Sequence, residues 1–339
     1  MPLHFLGKAK GWGTHWGFLA DAVAMFLENE DALDQFLHST DLLVLPRFYV
    51  LNEHRKAAEG FINSIRAFGI HVVYEVDDDY TNEHKKVIEG DAISVAGLAD
   101  AVTVTTPYLA ETMHKRTGLP TYVLPNMLDP QLWRNGTITR KAGPDMTIIG
   151  LTGSFTHYED WKVLKDVLPA VLEKHPNSRL VVAGFTPDYL EGLPQTEYFA
   201  GFAYPAYSQF IRQCDIILAP VDPADGFNMG KSPIKAVEGM GATRLVENRF
   251  AGAAVVATDN PIYRLAVRNE QNGLLVEYTP DAWFNALDRL LTDHEYRHRL
   301  QFAAHRSAWK DWDISRHWTK WAKAYRDILK LPIRTKEIA

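Results

Sequence analysis

Residues 215–241 read DIILAPVDPADGFNMGKSPIKAVEGMG. The run 215–220 is apolar without alternation, which suits a strand buried on both faces, as in a parallel sheet covered by helices. A twelve-residue loop then leads to a segment with helical spacing. Ser232 reads as its N-cap and Pro233 as its first helical residue. Such a helix aims unpaired backbone N–H groups and the positive end of its dipole forward. Lys231 lies just outside that end, Lys235 falls in the first turn, and Glu238 lies one turn further on. Cations there oppose the dipole, so stability alone does not explain them. A bound anion such as a phosphate does. A solvated loop with a surface Lys–Glu pair is the plainer alternative.

The same strand-then-helix grammar recurs along the chain. Runs at 42–46, 71–76, 101–105 and 121–125 precede the polar segment 134–146. Runs at 147–151, 179–184, 253–257 and 273–277 join 215–220 after it. Two such sets predict an α/β protein with two Rossmann-like domains. The expected division is 1–138, 139–308 and a helical tail, 309–339. Trp309, Trp312, Trp318, Trp321 and Tyr325 suggest that the tail docks an amphipathic face on the protein body. A basic aromatic helix on a membrane surface is the alternative.

Bulk properties narrow the function class. The 339 residues are 46% hydrophobic with a formal net charge of −6, which argues against a broad basic nucleic-acid surface. The single cysteine, Cys214, excludes an intramolecular disulfide and reads as a buried core thiol. No signal-like or membrane-spanning apolar run stands out, so a cytoplasmic protein is expected.

Ligands of doubly wound sheets bind beyond the carboxyl ends of the strands, which selects three further stretches. TGSFTHYEDW (152–161) brings Gly153 and Ser154 to such a position, where their backbone N–H groups suit a phosphate. His157 follows as a donor or proton shuttle, although Ser154 or Thr156 as a simple helix cap explains the stretch too. GWGTHWG (11–17) permits close approach of Gly13, Thr14 and His15 to a ligand. YEVDDDY (74–80) ends a strand in Asp77, Asp78 and Asp79, more carboxylates than a cap requires, suited to orienting a hydroxyl or acting as a base. Walker-type and CxxC patterns are absent from the sequence.

Taken in order, these segments resemble the retaining glycosyltransferases of the GT-B fold, the "glycosyl transferases group 1" family. GWGTHWGFLADAV (11–23) is similar to the family's N-terminal glycine loop and helix. VTVTTPYLAETM (102–113) and VLPNMLD (123–129) resemble the segments that end its first domain. IIGLTGSFTHYEDW (148–161) opens the second domain as in a GSxTHxxD subgroup. NMGKSPIKAVEGMGA (228–242) and AGAAVVATDNPIYRLAVRNEQNGLLV (251–276) resemble its donor-binding helix and the segment after it. The resemblance implies two Rossmann-like domains facing a cleft, with C-terminal helices packing back across them.

It also implies a nucleotide-diphosphate sugar as donor substrate. No cofactor is expected, and no metal is required, because helix N-termini and lysines can carry the diphosphate charge. Glu238 matches the second glutamate of the family's E-x7-E motif, expected on the ribose hydroxyls, and Phe202 lies where the family lines the nucleobase. The first glutamate is replaced by Gly230, with Asn228 or Asp225 as substitutes. TRLVENRF (243–250) looks like an insertion. The expected function is glycosyl transfer with retention to a hydroxyl acceptor, glycan first, with nucleic acid or a small molecule open. Lys231, Lys235, His157 and Asp78 are the expected catalytic residues. Gly13, Thr14, Gly153, Ser154, Phe202, Asn228, Ser232 and Glu238 are expected at the donor, and His15, Asp77 and Asp79 at the acceptor. The alternatives are an inactive sugar- or partner-binding protein, or an epimerase or phosphorylase on the same fold. Contact with a membrane surface is compatible with each.

Overall fold

The structure is a computed structural model that describes residues 3–5, 37–46, 55–79, 96–134, 146–202 and 204–332. The chain divides into two compact units, Met1–Pro125 with Trp318–Ala339, and Asn126–His317. Both are built on parallel sheets, so the expectation of an α/β protein with two Rossmann-like sheets is met.

In the first unit five parallel strands lie in the order β1 (Leu3–Phe5), β2 (Leu42–Pro46), β3 (His71–Val76), β4 (Ala101–Val104) and β5 (Thr121–Val123). Alternate residues serve opposite faces. Leu43, Leu45, Val72, Tyr74 and Val102 pack with Ile62, Ile65, Leu109 and Met113 of the helices Arg55–Ala67 and Pro107–Thr117. Leu42, Val44, Val73 and Ala101 pack with Ala324, Tyr325 and Ile328 of the helix Thr319–Ile328. The part of the tail from Trp318 docks on this sheet, so both faces are covered. That is why β2 reads as an unbroken apolar run. Trp309 and Trp312 instead pack in the core of the second unit.

The second unit holds β6 (Thr147–Gly153), β7 (Ser178–Gly184), β8 (Thr196–Phe199), β9 (Ile216–Ala219), β12 (Ala254–Thr258) and β13 (Leu274–Val276). All pairings are parallel and the order is β13-β12-β9-β6-β7-β8. Counted within the sheet, this is the doubly wound order 3-2-1-4-5-6, whose switch point falls between its first and fourth strands. Here those are β6 and β9. Ile217, Ala219, Val255 and Ala257 face the helices Tyr204–Gln213, Ile234–Gly241 and His294–Asp311. Ile216, Leu218, Ala254 and Val256 face Val167–Lys174 and Pro280–Thr292, with Trp161 and Trp283 fully buried between. Cys214 is buried beside Gly150, and burial pushes its thiol up, so it is inert packing as read. Among the described residues, no helix is long and apolar enough to cross a membrane.

Three local readings change. β1 and β8 were not anticipated: LHF has three residues, and TEYF is short and only partly buried; both lie at sheet edges. Residues 243–250, read as an insertion, form most of an antiparallel hairpin, β10 (Arg244–Val246) with β11 (Arg249–Ala251). Its two-residue turn puts both Glu247 and Asn248 at positive φ, 49° and 60°, the geometry that matches strand twist but usually calls for Gly or Asn. Ser232, read as the N-cap of the helix Ile234–Gly241, does not cap it: Pro233 holds that position without a side-chain bond. The Ser232 hydroxyl instead accepts from Asn126 Nδ2 at 3.1 Å.

Candidate functional site

At the carboxyl end of β6 the chain makes a short 3-10 turn, Phe155–His157, and enters the buried Trp161. At the end of β9, Asp222 leads into a second 3-10 turn, Gly226–Gly230, capped by the Asp225 carboxylate accepting from the Phe227 N–H at 2.9 Å. That turn delivers Lys231 and the 234–241 helix to the same switch point. Five side chains from these two loops and the helix meet there.

Asp160 is at the centre, with no exposed surface. Its Oδ2 accepts from His157 Nδ1 and from Lys231 Nζ, both at 2.7 Å. Its Oδ1 accepts from the Asp222 backbone N–H at 2.9 Å and from Asn228 Nδ2 at 2.5 Å. Lys235 Nζ donates to His157 Nε2 at 2.6 Å. A lysine can only donate there, so Nε2 is the lone-pair nitrogen. At Nδ1 the Asp160 contact at 2.7 Å is much shorter than that of Lys231 Nζ at 3.2 Å, so Nδ1 carries the proton given to Asp160. His157 is thus a neutral ring, fixed in one tautomer and stacked on Trp161 at a ring separation of 6.1 Å. Burial, then the Lys235 charge, push it down to about 3. The His157 and Lys231 partners hold the Asp160 carboxyl well below the usual range despite its burial.

Neither group is a base at neutral pH. Both are fixtures that hold two ammonium groups at a helix start. Lys231 also lies 5.6 Å from the centre of the Phe227 ring.

Glycines permit this packing. A Cβ on Gly153 would come within 2.8 Å of both His157 and Trp161 and 3.0 Å of Lys235 Nζ. Gly184, at φ +94°, lets the Phe185 N–H reach the Gly153 carbonyl at 2.8 Å, where a Cβ would stand 2.3 Å from that oxygen. A buried Glu238 accepts from Tyr207 OH at 3.2 Å, and Tyr207 meets the Thr152 hydroxyl at the same distance. Phe202 keeps 36% of its surface exposed while wedged between Phe199 and Phe210, at 5.8 and 5.1 Å.

The structure therefore brings together Gly153, His157, Asn228, Lys231, Lys235 and, through Asn126, anchors Ser232. Ser154 sits at the same strand end, its hydroxyl 2.8 Å from that of Thr156. Sequence reading gave no role to Tyr207, Tyr278 or Asn126. Tyr278 OH donates to the carbonyls of Glu159 and Asp160 at 3.0 and 3.1 Å and pins their turn. Asp77, Asp78 and Asp79 follow β3 in the first unit, Asp79 buried and the others half-buried. Gly13, Thr14 and His15 lie outside the described residues.

The His157 geometry makes stability depend on pH with a definite sign. An unfolded histidine takes a proton near pH 6.5 and the folded one only near 3. The folded state binds fewer protons in that window, so the contribution is complete above the unfolded value and is lost as pH falls. Any folded value well under 5 gives a loss of about 2 kcal/mol between roughly pH 6.5 and roughly pH 5. Denaturant titrations at those two pH values should show it, and His157→Gln should reduce the difference by about that amount, while His305, which burial also pushes down to about 4, keeps a share of its own. An equal difference in both proteins would refute the assignment.

Residues 147–293 match the family model described as Glycosyl transferases group 1. No curated protein matches the sequence. Among solved structures, the chain is similar to sucrose-phosphate synthase from Thermosynechococcus elongatus, at 15% identity and TM-score 0.62, over 91% of this chain and 79% of that one. Anabaena HepE, solved in complex with UDP and glucose, is similar at 17% identity and TM-score 0.63, over 93% and 83%. A glycosyltransferase from Rickettsia africae ESF-5 is similar at 14% identity and TM-score 0.61, over 95% and 84%. At these identities the likeness is one of fold. The chain has the GT-B fold, and its residues 147–293 match the Glycosyl transferases group 1 model.

Proposed function

We propose that the protein is a glycosyltransferase that moves a sugar from a nucleotide-diphosphate donor to a hydroxyl acceptor with retention and without a metal. The observation that carries this is the pair of lysines held at the start of the 234–241 helix, at the switch point of a group 1 domain. The diphosphate meets Lys231, Lys235, the helix start and the backbone around Gly153 and Ser154. Positive charge fixed in advance stabilises the negative charge that grows on the leaving group. The Ser232 hydroxyl, already accepting from Asn126, has its proton to give to a phosphate oxygen.

In the transfer, the bond from the anomeric carbon to the diphosphate oxygen breaks and a bond to the acceptor oxygen forms on the same face. His157 and Asp160 are too weakly basic to take the acceptor's proton, so it passes to the departing diphosphate. Both residues act on the reaction by positioning the lysines. Phe202 supplies an aromatic surface for the base, and Glu238 accepts from the ribose hydroxyls. Asp77, Asp78 and Asp79, with His15, serve the acceptor, and Gly13 and Thr14 the donor.

UDP occupies a neighbour of this fold, which makes UDP-sugars the first donors to assay, by release of UDP. A carboxylate bonded to two hydroxyls contributes about 1.5–3 kcal/mol. Glu238→Ala should therefore raise the donor KM by roughly 10- to 100-fold with a smaller change in kcat. Unchanged kinetics from the folded variant would remove Glu238 from the site, and no turnover of any nucleotide sugar would favour a binding protein.

A further inference from the structure

The second unit carries a basic and apolar surface with no role in the site described above. In the β10–β11 hairpin, Leu245 and Phe250 are register partners and so project on the same side. They are 63% and 66% exposed, the two most exposed large apolar side chains among the described residues. Phe250 rests on His305 at 6.1 Å, and the Arg249 guanidinium lies 3.9 Å from the centre of the Phe302 ring. The hairpin is thus fastened along the helix His294–Asp311.

The outer face of that helix is cationic. Arg299, Phe302, Arg306 and Lys310 follow helical spacing. Towards its end lies a shallow cavity of about 580 Å³, whose lining includes Arg134, Arg268, Arg306, Lys310 and Arg316 against a single carboxylate, Asp311. Asp311 pairs with Arg268, and the buried Asp313 pairs with Arg316. Arg134 lies over the Trp309 ring at 4.9 Å. Among the described residues no carboxylate pairs with Arg134, Arg249, Arg299, Arg306 or Lys310. The acidic groups nearby are few: Glu247 pairs with His298, and Glu295 lies a turn before Arg299.

For a chain with a net charge of −6, the four cations Arg134, Arg299, Arg306 and Lys310 on one face represent a concentrated positive patch. The exposed apolar pair beside them fits a partner that offers both phosphate charge and hydrocarbon. A soluble anion leaves Leu245 and Phe250 unexplained, and an apolar protein groove leaves the cations unexplained. We propose that this face docks the protein on a bilayer containing anionic phospholipid. Leu245 and Phe250 enter the headgroup boundary, and Arg299, Arg306, Lys310 and Arg134 take the lipid phosphates. None of these residues belongs to the donor site, so the inference stands whether or not that site has the function proposed above.

Co-sedimentation of the full chain with phosphatidylcholine vesicles, with and without phosphatidylglycerol, tests this directly. Binding is expected only to the mixed vesicles and should weaken as salt is raised. Arg306→Glu with Lys310→Glu should lower the partition at least about thirtyfold. Leu245→Ser with Phe250→Ser should lower it about tenfold without altering the salt dependence. All four positions are exposed or partly exposed, and unchanged melting temperatures would confirm folding. Failure to bind mixed vesicles overturns the proposal, as does binding that neither variant pair weakens. Binding of inositol hexakisphosphate without vesicle binding would assign the patch to a soluble anion. A dimer abolished by the serine pair would assign it to a second copy of the chain.

Discussion

Asp160→Ala should destabilise the protein by about 3–5 kcal/mol, the cost of breaking a buried ion pair by removing one partner. The substitution strips acceptors from His157 Nδ1, Lys231 Nζ, Asn228 Nδ2 and the Asp222 N–H at once. Each is a donor in or beside a buried cluster, and unsatisfied buried donors bear the full desolvation penalty. Asp160→Asn should cost less, because its carbonyl oxygen retains an acceptor, yet it still leaves Lys231 without its carboxylate. Chemical denaturation of the three proteins measures the order. A loss under about 1 kcal/mol for Asp160→Ala would mean that the cluster is solvated rather than buried.

Lys231→Ala should lower kcat by about 10²–10³, the usual effect of removing one fixed group that stabilises developing charge. Donor KM should move far less, since the ground-state diphosphate retains Lys235 and the helix start. That split between kcat and KM distinguishes a group acting on the leaving diphosphate from one that only binds it. Because Lys231 is also an Asp160 partner, stability must be measured alongside. Lys231→Arg, which keeps the charge, should recover stability better than turnover. A rise in KM with kcat intact would make Lys231 a binding residue only.

Much of the fold was legible because strands buried on both faces leave unbroken apolar runs. β2, β3, β6, β7, β9 and β12 all lie under the runs read from sequence, to within a residue or two. β8 escaped because an edge strand buries little and TEYF is a short stretch with only two apolar residues. The hairpin escaped because its turn is Glu247-Asn248, without the glycine that usually marks two residues at positive φ.

The 234–241 helix was visible, but not its start. Ser232 has the chemistry of a cap, whereas the side chain that decides its orientation, Asn126, is 106 residues away. The central cluster has the same character. His157 and Asp160 are three apart and visible as a pair. Lys231, 71 residues from Asp160, joins them only because parallel pairing sets β6 beside β9. No local pattern reports that pairing, or the reach of Tyr207 to Glu238.

The most direct test of the donor site is thermal stabilisation by UDP, GDP and ADP of the wild-type protein, Lys231→Ala and Glu238→Ala. A ligand that binds only the folded state raises the melting temperature by mass action. One diphosphate should stabilise the wild-type protein, with the shift reduced or absent in both variants. No shift with any of them, or equal shifts in all three proteins, would contradict a nucleotide-diphosphate site at the start of the 234–241 helix.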